Sequence, residues 1–522
     1  MTLTEWFLFF LIVQVIHFLG TWKLYQKAGR KAWEAAVPVY NAVILMKIIN
    51  RPWWYVILLF IPIINLIMFP VVWVETLRSF GRNSTTDTLL GIFTLGFYIY
   101  YINYTQDVTY IHDRSLRPKS GSGEWVSSIL FAVVVATIVH TYFIQPFTIP
   151  TSSLEKTLLV GDFLFVSKMH YGARTPMTAV SFPMVHDTIP VAKVKSYTNK
   201  PQIPYFRFPA FEEIERNDIV VFNWPTDTVP YFFYRGPESY KKPIDKKSNY
   251  VKRAVGIPGD SLEIRDGYVY INGKQNELPD RAKLQFAYLF KTKEPVNNVQ
   301  FLIDRYNISE VRLADQSYTV FSANMTDEAR ESLKNNPNIE QIIPMKAEKG
   351  TADPSIFPHN DNYSWNTTFF GPIYIPEAGK TVAITPESIP FYKRIIEVYE
   401  GREMGNERKI TQSGDQVLLN GQPLTEYTFQ QDYYWMMGDN RNNSEDARMW
   451  GYVPHTHVVG KPVFIWMSWD GNGKGFNKIR WERMFTTVGG DGEPVSYFRY
   501  FLILLAGWFV FDFFRKKKKQ KK

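Results

Sequence analysis

Cysteine is absent from the 522-residue chain. That absence excludes disulfides, thiolate catalysis and cysteine zinc sites, and it leaves the redox compartment open. Histidine is sparse, with eight residues in all. His17 and His140 lie in apolar runs, His455 and His457 flank a β-prone segment, and no Ser-His-Asp set stands out. No internal repeat or long low-complexity stretch is present. The start does not resemble a cleavable signal peptide, because it carries Glu5 and no basic residue and lacks a small-x-small site. What the chain does have is apolar side chains, 45% hydrophobic and 16% aromatic, enough for a folded core plus membrane segments. Its net charge of +9 is concentrated in RKKKKQKK at residues 515–522, directly after an apolar run. A basic run there reads as a cytoplasmic membrane flank and not as a nucleic-acid contact.

Apolar runs at residues 6–22, 53–74, 88–104, 125–143 and 497–514 are the membrane candidates; a run of this size suffices for a hydrocarbon core of about 30 Å. Basic residues orient them. Lys23, Lys27, Arg30, Lys31, Lys47 and Arg51 fill the first loop and place it in the cytoplasm by the positive-inside rule, as Arg114, Arg117 and Lys119 do for residues 106–124. Alternation then delivers residue 145 onward to the outer face, and the last run returns the basic tail to the cytoplasm. The expected division is residues 1–124 as an N-terminal membrane region of about three helices, and 125–144 as a helix leading into a catalytic domain. Residues 145–274 and 411–495 are then two parts of one β core, 275–410 an inserted cap lobe, and 496–522 a C-terminal helix with its tail.

The expected β core shows short β-prone runs punctuated by Gly, Pro, Asn and Asp. Three stretches in it carry chemistry. The first, FIQPFTIPTSSLEKTLLVGDFLFVSK (143–168), places adjacent serines on extended backbone just beyond an apolar run. The second, YVKRAVGIPGD (250–260), sets Lys252 in a strand whose alternation points Val251 and Arg253 to the opposite face. Lys252 can thereby be buried and its pKa lowered, as a lysine acting as a base requires. The third, MMGDNRNNSEDAR (436–448), is a dense polar turn. Its acidic residues fail the EF-hand spacing because Arg441 falls on a ligand position, so no metal is expected. Ser153 and Lys156 also form a literal S-x-x-K, but that motif needs a helix and a downstream K-T-G, and neither is evident.

With RNDIVVFNWP (216–225), these stretches resemble, in order, the four boxes of bacterial type I signal peptidases. The resemblance implies a mainly β catalytic domain of antiparallel signal-peptidase type with an inserted cap lobe, plus transmembrane α-helices. It implies Ser153 as nucleophile and Lys252 as general base. Thr151 becomes an oxyanion donor beside the Ser153 N–H, Ser444 a hydrogen-bond partner of Lys252, and Asp439, Asn440, Asp446 and Arg448 braces of the polar turn. Leu154 and Lys156 replace the family's usual methionine and proline. Residues 23–65 resemble a small membrane domain of unknown function.

The activity implied is removal of signal peptides from exported preproteins by a multi-pass enzyme of the bacterial plasma membrane, with its catalytic domain on the outer face and no cofactor. Preproteins, the lipid bilayer and the export machinery are the expected partners. Aromatic clusters at residues 205–211 and 231–234 are candidates for contact with lipid headgroups. Two alternatives stay open: a membrane serine peptidase for a narrow cargo set, and a scaffold that has lost activity.

Overall fold

The computed structural model describes residues 1–117, 121–229, 234, 240–473 and 475–520. Tyr231, Phe232 and Phe233 of the second aromatic cluster, Lys119, and the last two lysines lie outside the described residues. The chain forms two units. One comprises Met1–Phe143, Arg174–Phe208 and Thr228–Lys246, the other Ile144–Ala173, Pro209–Asp227 and Lys247–Lys522.

In the first unit, the helix Leu3–Lys27 opens on a capping box in which the Thr2 hydroxyl accepts from the Glu5 N–H and Glu5 accepts from the Thr2 N–H. Among the described residues, Leu3–Lys27 and Gly121–Phe143 are the helices long and apolar enough to cross a bilayer. The run at 53–74 is not one helix. It divides into Tyr55–Leu58 and Ile64–Ser79, with Ile63 at a φ of 71°, because Pro62 lacks an N–H and disfavours helix at the residue before it. The run at 88–104 likewise divides, into Thr85–Phe93 and Tyr98–Thr105, at Leu95 and Gly96, both left-handed. Gly96 is required there twice over, since the Trp73 ring lies 2.7 Å from where a Cβ would stand. Leu24, Tyr25, Ile44, Met46 and Ile102 form the core of these helices. Glu75 is buried beside them and paired with Arg114.

The second unit is organised by an eight-stranded antiparallel sheet. From one edge its strands run Ile144–Thr148, Asp162–Ser167, Val458–Ser468, Ile219–Asn223, Asn249–Gly256, Tyr433–Met437 and Val453–Pro454. The short strand Thr486–Thr487 pairs with Val458–Ser468. This order brings chain-distant segments side by side: Val220 faces Lys252, and Met437 faces Arg253.

Residues 275–410 are not one layer. A separate four-stranded sheet, Ile339–Pro344, Phe286–Thr292, Val320–Met325 and Ser309–Leu313, carries the helices Val299–Tyr306 and Asp327–Lys334 over its own core of Phe290, Phe321, Leu302 and Leu333. Beyond it the chain returns to the rest of the unit. Phe370–Tyr374 pairs with Ser261–Arg265, and Ile356, Phe357 and Phe370 join Trp435 in one cluster. From Phe498 onward the apolar run at 497–514 lies in a single helix, Phe498–Gln520, with Leu504, Trp508 and Phe511 exposed.

Candidate active site

The strand Ile144–Thr148 leads into a loop that closes on itself. The Ile149 N–H donates to Asp162, and the Gly161 N–H donates back to Ile149. Leu154 and Leu158, each 1% exposed, pin the loop into a cluster with Ile149, Leu164 and Val166. Leu154 thus supplies an apolar anchor at the position of the usual methionine. Asp162 fixes the base of the loop: its carboxylate accepts from Ser468 Oγ at 2.6 Å and from Arg483 at 2.5 and 3.1 Å. Ser153 is carried on this loop with 6% of its surface exposed.

Residues 152–157 form turns and not a helix. Lys156, at a φ of 70°, directs its ammonium to Asn307 Oδ1 at 2.8 Å. The S-x-x-K geometry, which needs serine and lysine one helical turn apart on a shared face, is therefore not formed. The Ser153 hydroxyl instead meets Lys252, whose Nζ donates to Ser153 Oγ at 2.6 Å. Lys252 is 3% exposed. Its burial draws the pKa down to about 8, against the upward pull of Asp446, Glu445 and Asp439.

Arg253, the next residue on the strand, is also buried, and it is paired. Its guanidinium makes a two-pronged bond to Asp439, at 2.8 and 2.6 Å. Asp439 also accepts from Thr157 Oγ1 at 2.7 Å. Burial alone would raise the Asp439 pKa, but Arg253 holds it below the ordinary carboxylate value. One carboxylate thus ties the lysine strand to the serine loop.

The polar turn completes the enclosure. The Asn440 N–H donates to the Ser153 carbonyl at 3.1 Å, and Asn440 Nδ2 donates to the Ser152 carbonyl at 3.2 Å. Asp446 accepts from the Gly438 N–H at 3.0 Å and from Arg448 at 2.9 and 2.8 Å, and Arg448 also donates to the Arg441 carbonyl at 2.7 Å. Burial opposes ionisation of Asp446, and the Arg448 guanidinium overcomes it, leaving the pKa below its ordinary value.

One expected role reads differently in the geometry. Among the described residues the buried Ser444 hydroxyl has no hydrogen-bond partner, and the bond from Lys252 goes to Ser153 and not to Ser444. Gly438 packs so closely on Ser444 that the serine is held by contact instead. Thr151 is half-buried, and its hydroxyl makes no hydrogen bond among the described residues. His457 bonds Lys247 at 3.1 Å and lies 3.6 Å from Glu403. Among the described residues no cluster of three or more His, Asp or Glu side chains has the arrangement of a metal site.

Sequence reasoning did not single out Arg483. Asn440, expected only to brace the turn, also holds the carbonyls of Ser152 and Ser153. Arg483 had no local signal, since its partner Asp162 is 321 residues away.

The family described as "Signal peptidase, peptidase S26" matches residues 122–376 and 375–469. A "Family of unknown function (DUF5684)" matches residues 33–113. Among curated proteins, the chain is similar to "Signal peptidase I" of Rickettsia akari (strain Hartford), 30% identical over 364 residues that cover 70% of this chain and 83% of the relative. It is also 30% identical to "Signal peptidase I" of Rickettsia typhi (strain ATCC VR-144 / Wilmington) over 350 residues, 66% of this chain and 81% of the relative. With "Signal peptidase I" of Buchnera aphidicola subsp. Acyrthosiphon pisum (strain APS) it shares 25% identity over 338 residues, 64% of this chain and 72% of the relative.

Proposed function

The chain belongs to the signal peptidase family, peptidase S26, and from that premise we propose that it is a serine endopeptidase that removes signal peptides from exported preproteins with Ser153 as nucleophile and Lys252 as general base. The observation that carries the residue assignment is the buried 2.6 Å contact between Lys252 Nζ and Ser153 Oγ. A serine hydroxyl is a poor nucleophile until a neighbour takes its proton. A buried lysine near pH 8 can be that neighbour, because a useful fraction is the free amine.

The free amine of Lys252 accepts the Oγ proton as Oγ attacks the scissile carbonyl carbon. Negative charge moves to the carbonyl oxygen, where the Ser153 N–H and the Thr151 hydroxyl stand as donors; one such donor is typically worth about 3 kcal/mol of barrier. The Lys252 ammonium then protonates the leaving amine, which leaves an ester at Ser153. A water molecule, deprotonated by the restored amine, cleaves that ester. Thr151 Oγ, unbonded within the described residues, is available for this role.

Substrate recognition by strand addition fits the sheet order, because Ile144–Thr148 is an edge strand leading straight to the serine loop. The enzyme is multi-pass in this reading, with Lys23–Arg51 cytoplasmic and Ser153 on the outer face. The apolar circumference of Phe498–Gln520 supports a lipid-facing C-terminal helix. Exposed Phe206, Phe208 and Phe211 are candidates for headgroup contact, and the export machinery remains an expected partner.

Cleavage of a purified preprotein by detergent-solubilised enzyme tests the assignment. Ser153→Ala and Lys252→Ala are expected to abolish it while Lys156→Ala remains active; a dead Lys156→Ala beside an active Lys252→Ala would overturn the choice of base. Orientation can be read in spheroplasts, because the native sequence has no cysteine. Glu213→Cys should react with an impermeant maleimide and Lys31→Cys should not; the reverse pattern sinks the topology.

A further inference from the structure

The residue beside the proposed nucleophile is gripped from the inserted four-stranded sheet. Ser152 Oγ donates to Glu310 Oε1 at 2.5 Å, and Asn443 Nδ2 bonds both Glu310 Oε1 and Ser152 Oγ, the latter at 2.9 Å. The other carboxylate oxygen, Glu310 Oε2, accepts from Asn324 Nδ2 at 2.7 Å. Asn324 Nδ2 also donates to Asn440 Oδ1 at 3.0 Å. Asn440 closes the ring through its bonds to the carbonyls of Ser152 and Ser153. Ser152 is therefore held at its hydroxyl and its carbonyl at once, and Ser153 at its carbonyl.

Glu310 reaches Ser152 by breaking the regularity of its own strand. The pairing of Ser309–Leu313 with Val320–Met325 shifts register between Ser322 and Asn324, and Glu310 lies in that shift at a φ of 55°. A bulge re-aims a side chain, and a left-handed backbone at a residue with a Cβ is retained where the surroundings enforce it. Here the bulge turns a carboxylate onto the peptide units that carry Thr151 and Ser153.

We infer that Glu310 is a positioning residue: through Ser152 it fixes residues 151–153 so that the Thr151 hydroxyl and the Ser153 N–H converge on one oxyanion, which makes the inserted sheet part of the catalytic apparatus. This rests on the assignment of Ser153 as nucleophile. Its effect falls on the transition state and not on substrate capture, so it should show in kcat and not in KM.

The test compares preprotein cleavage by the full-length enzyme in detergent for wild type, Ser153→Ala, Glu310→Ala, Glu310→Gln, Ser152→Ala, the Glu310→Ala/Ser152→Ala double variant and Glu340→Ala, with a thermal melt of each. Glu340 lies in the same inserted sheet and pairs with Lys291 at the surface, so its variant reports general disturbance. Glu310→Ala and Ser152→Ala are each expected to lower kcat about tenfold or more with KM unchanged, and the double variant to fall no further than the worse single one, since both cut the same link. Glu310→Gln keeps an oxygen acceptor for Ser152 and should recover most of the loss, while Glu340→Ala matches wild type. Unchanged kcat in Ser152→Ala, whose loss of one hydroxyl leaves folding intact, overturns the inference, as do losses that multiply in the double variant. An active Ser153→Ala would instead bring down the nucleophile assignment, and this inference with it.

Discussion

Lys252 and Arg253 are consecutive, yet their side chains leave the strand on opposite faces and meet opposite partners. Lys252 turns its ammonium to a neutral hydroxyl, Ser153 Oγ, and among the described residues finds no carboxylate at bonding distance. Arg253 is locked onto the Asp439 carboxylate. The pairing compensates the buried guanidinium, and burial leaves the lysine as the group whose proton is easily lost. Strand alternation alone separates the two fates.

The pH dependence follows from this division. The free amine is the competent form, so kcat/KM for preprotein cleavage should rise with pH and level off above about 8. Lys252→Arg, which cannot lose its proton in this range, should be inactive at every pH. Stability should move the same way. The folded pKa lies below the ordinary lysine value of 10.5, so between about 8 and 10.5 the unfolded chain binds more protons and folding gains as pH rises. In Lys252→Met that gain should vanish; a rate profile flat from pH 6 to 10 in the wild type would refute the role of the amine.

Breaking the Arg253–Asp439 pair should be costly because both groups are buried, at 3% and 0% side-chain exposure. Asp439→Ala leaves a buried guanidinium uncompensated, and a loss of about 3–5 kcal/mol is expected in denaturant unfolding. The double variant Arg253→Met/Asp439→Leu should lose much less. A double variant as unstable as the single one would show that the turn, and not the charge, is at stake.

Gly438 has an ordinary backbone, and its requirement is space. A Cβ there would stand 2.5 Å from the Ser153 carbonyl and collide with the Ser444 hydroxyl. Gly438→Ala should push Ser153 out of line and lower kcat about a hundredfold, the usual consequence of a displacement near 1 Å at a reacting group. Single-turnover rates are the readout, and a variant within twofold of wild type would show that the loop yields without harm.

The parts of the site read from the sequence are those encoded in contiguous motifs: the serine loop, the alternation that buries Lys252, and the turn from Gly438 to Arg448. The β character of the second unit was legible in its short strands and turn residues. Less legible was whatever depends on distant pairing. The runs at 53–74 and 88–104 are apolar throughout, so hydropathy gave no sign of the breaks at Ile63 and Leu95, which backbone geometry at Pro62 and Gly96 decides. Glu310 had no motif around it, because its meaning comes from Ser152, 158 residues earlier. Ser444 shows the opposite failure: its position in the turn was clear, but its hydroxyl is packed against Gly438 and not bonded to Lys252.

The Asp162–Arg483 clamp spans 321 residues and sets the order in which this molecule becomes complete. Ser153 is synthesised well before Arg483, so a nascent chain carries Ser153 on a loop whose base is still unfastened. The loop that carries the serine is thus fastened by a side chain translated long after it.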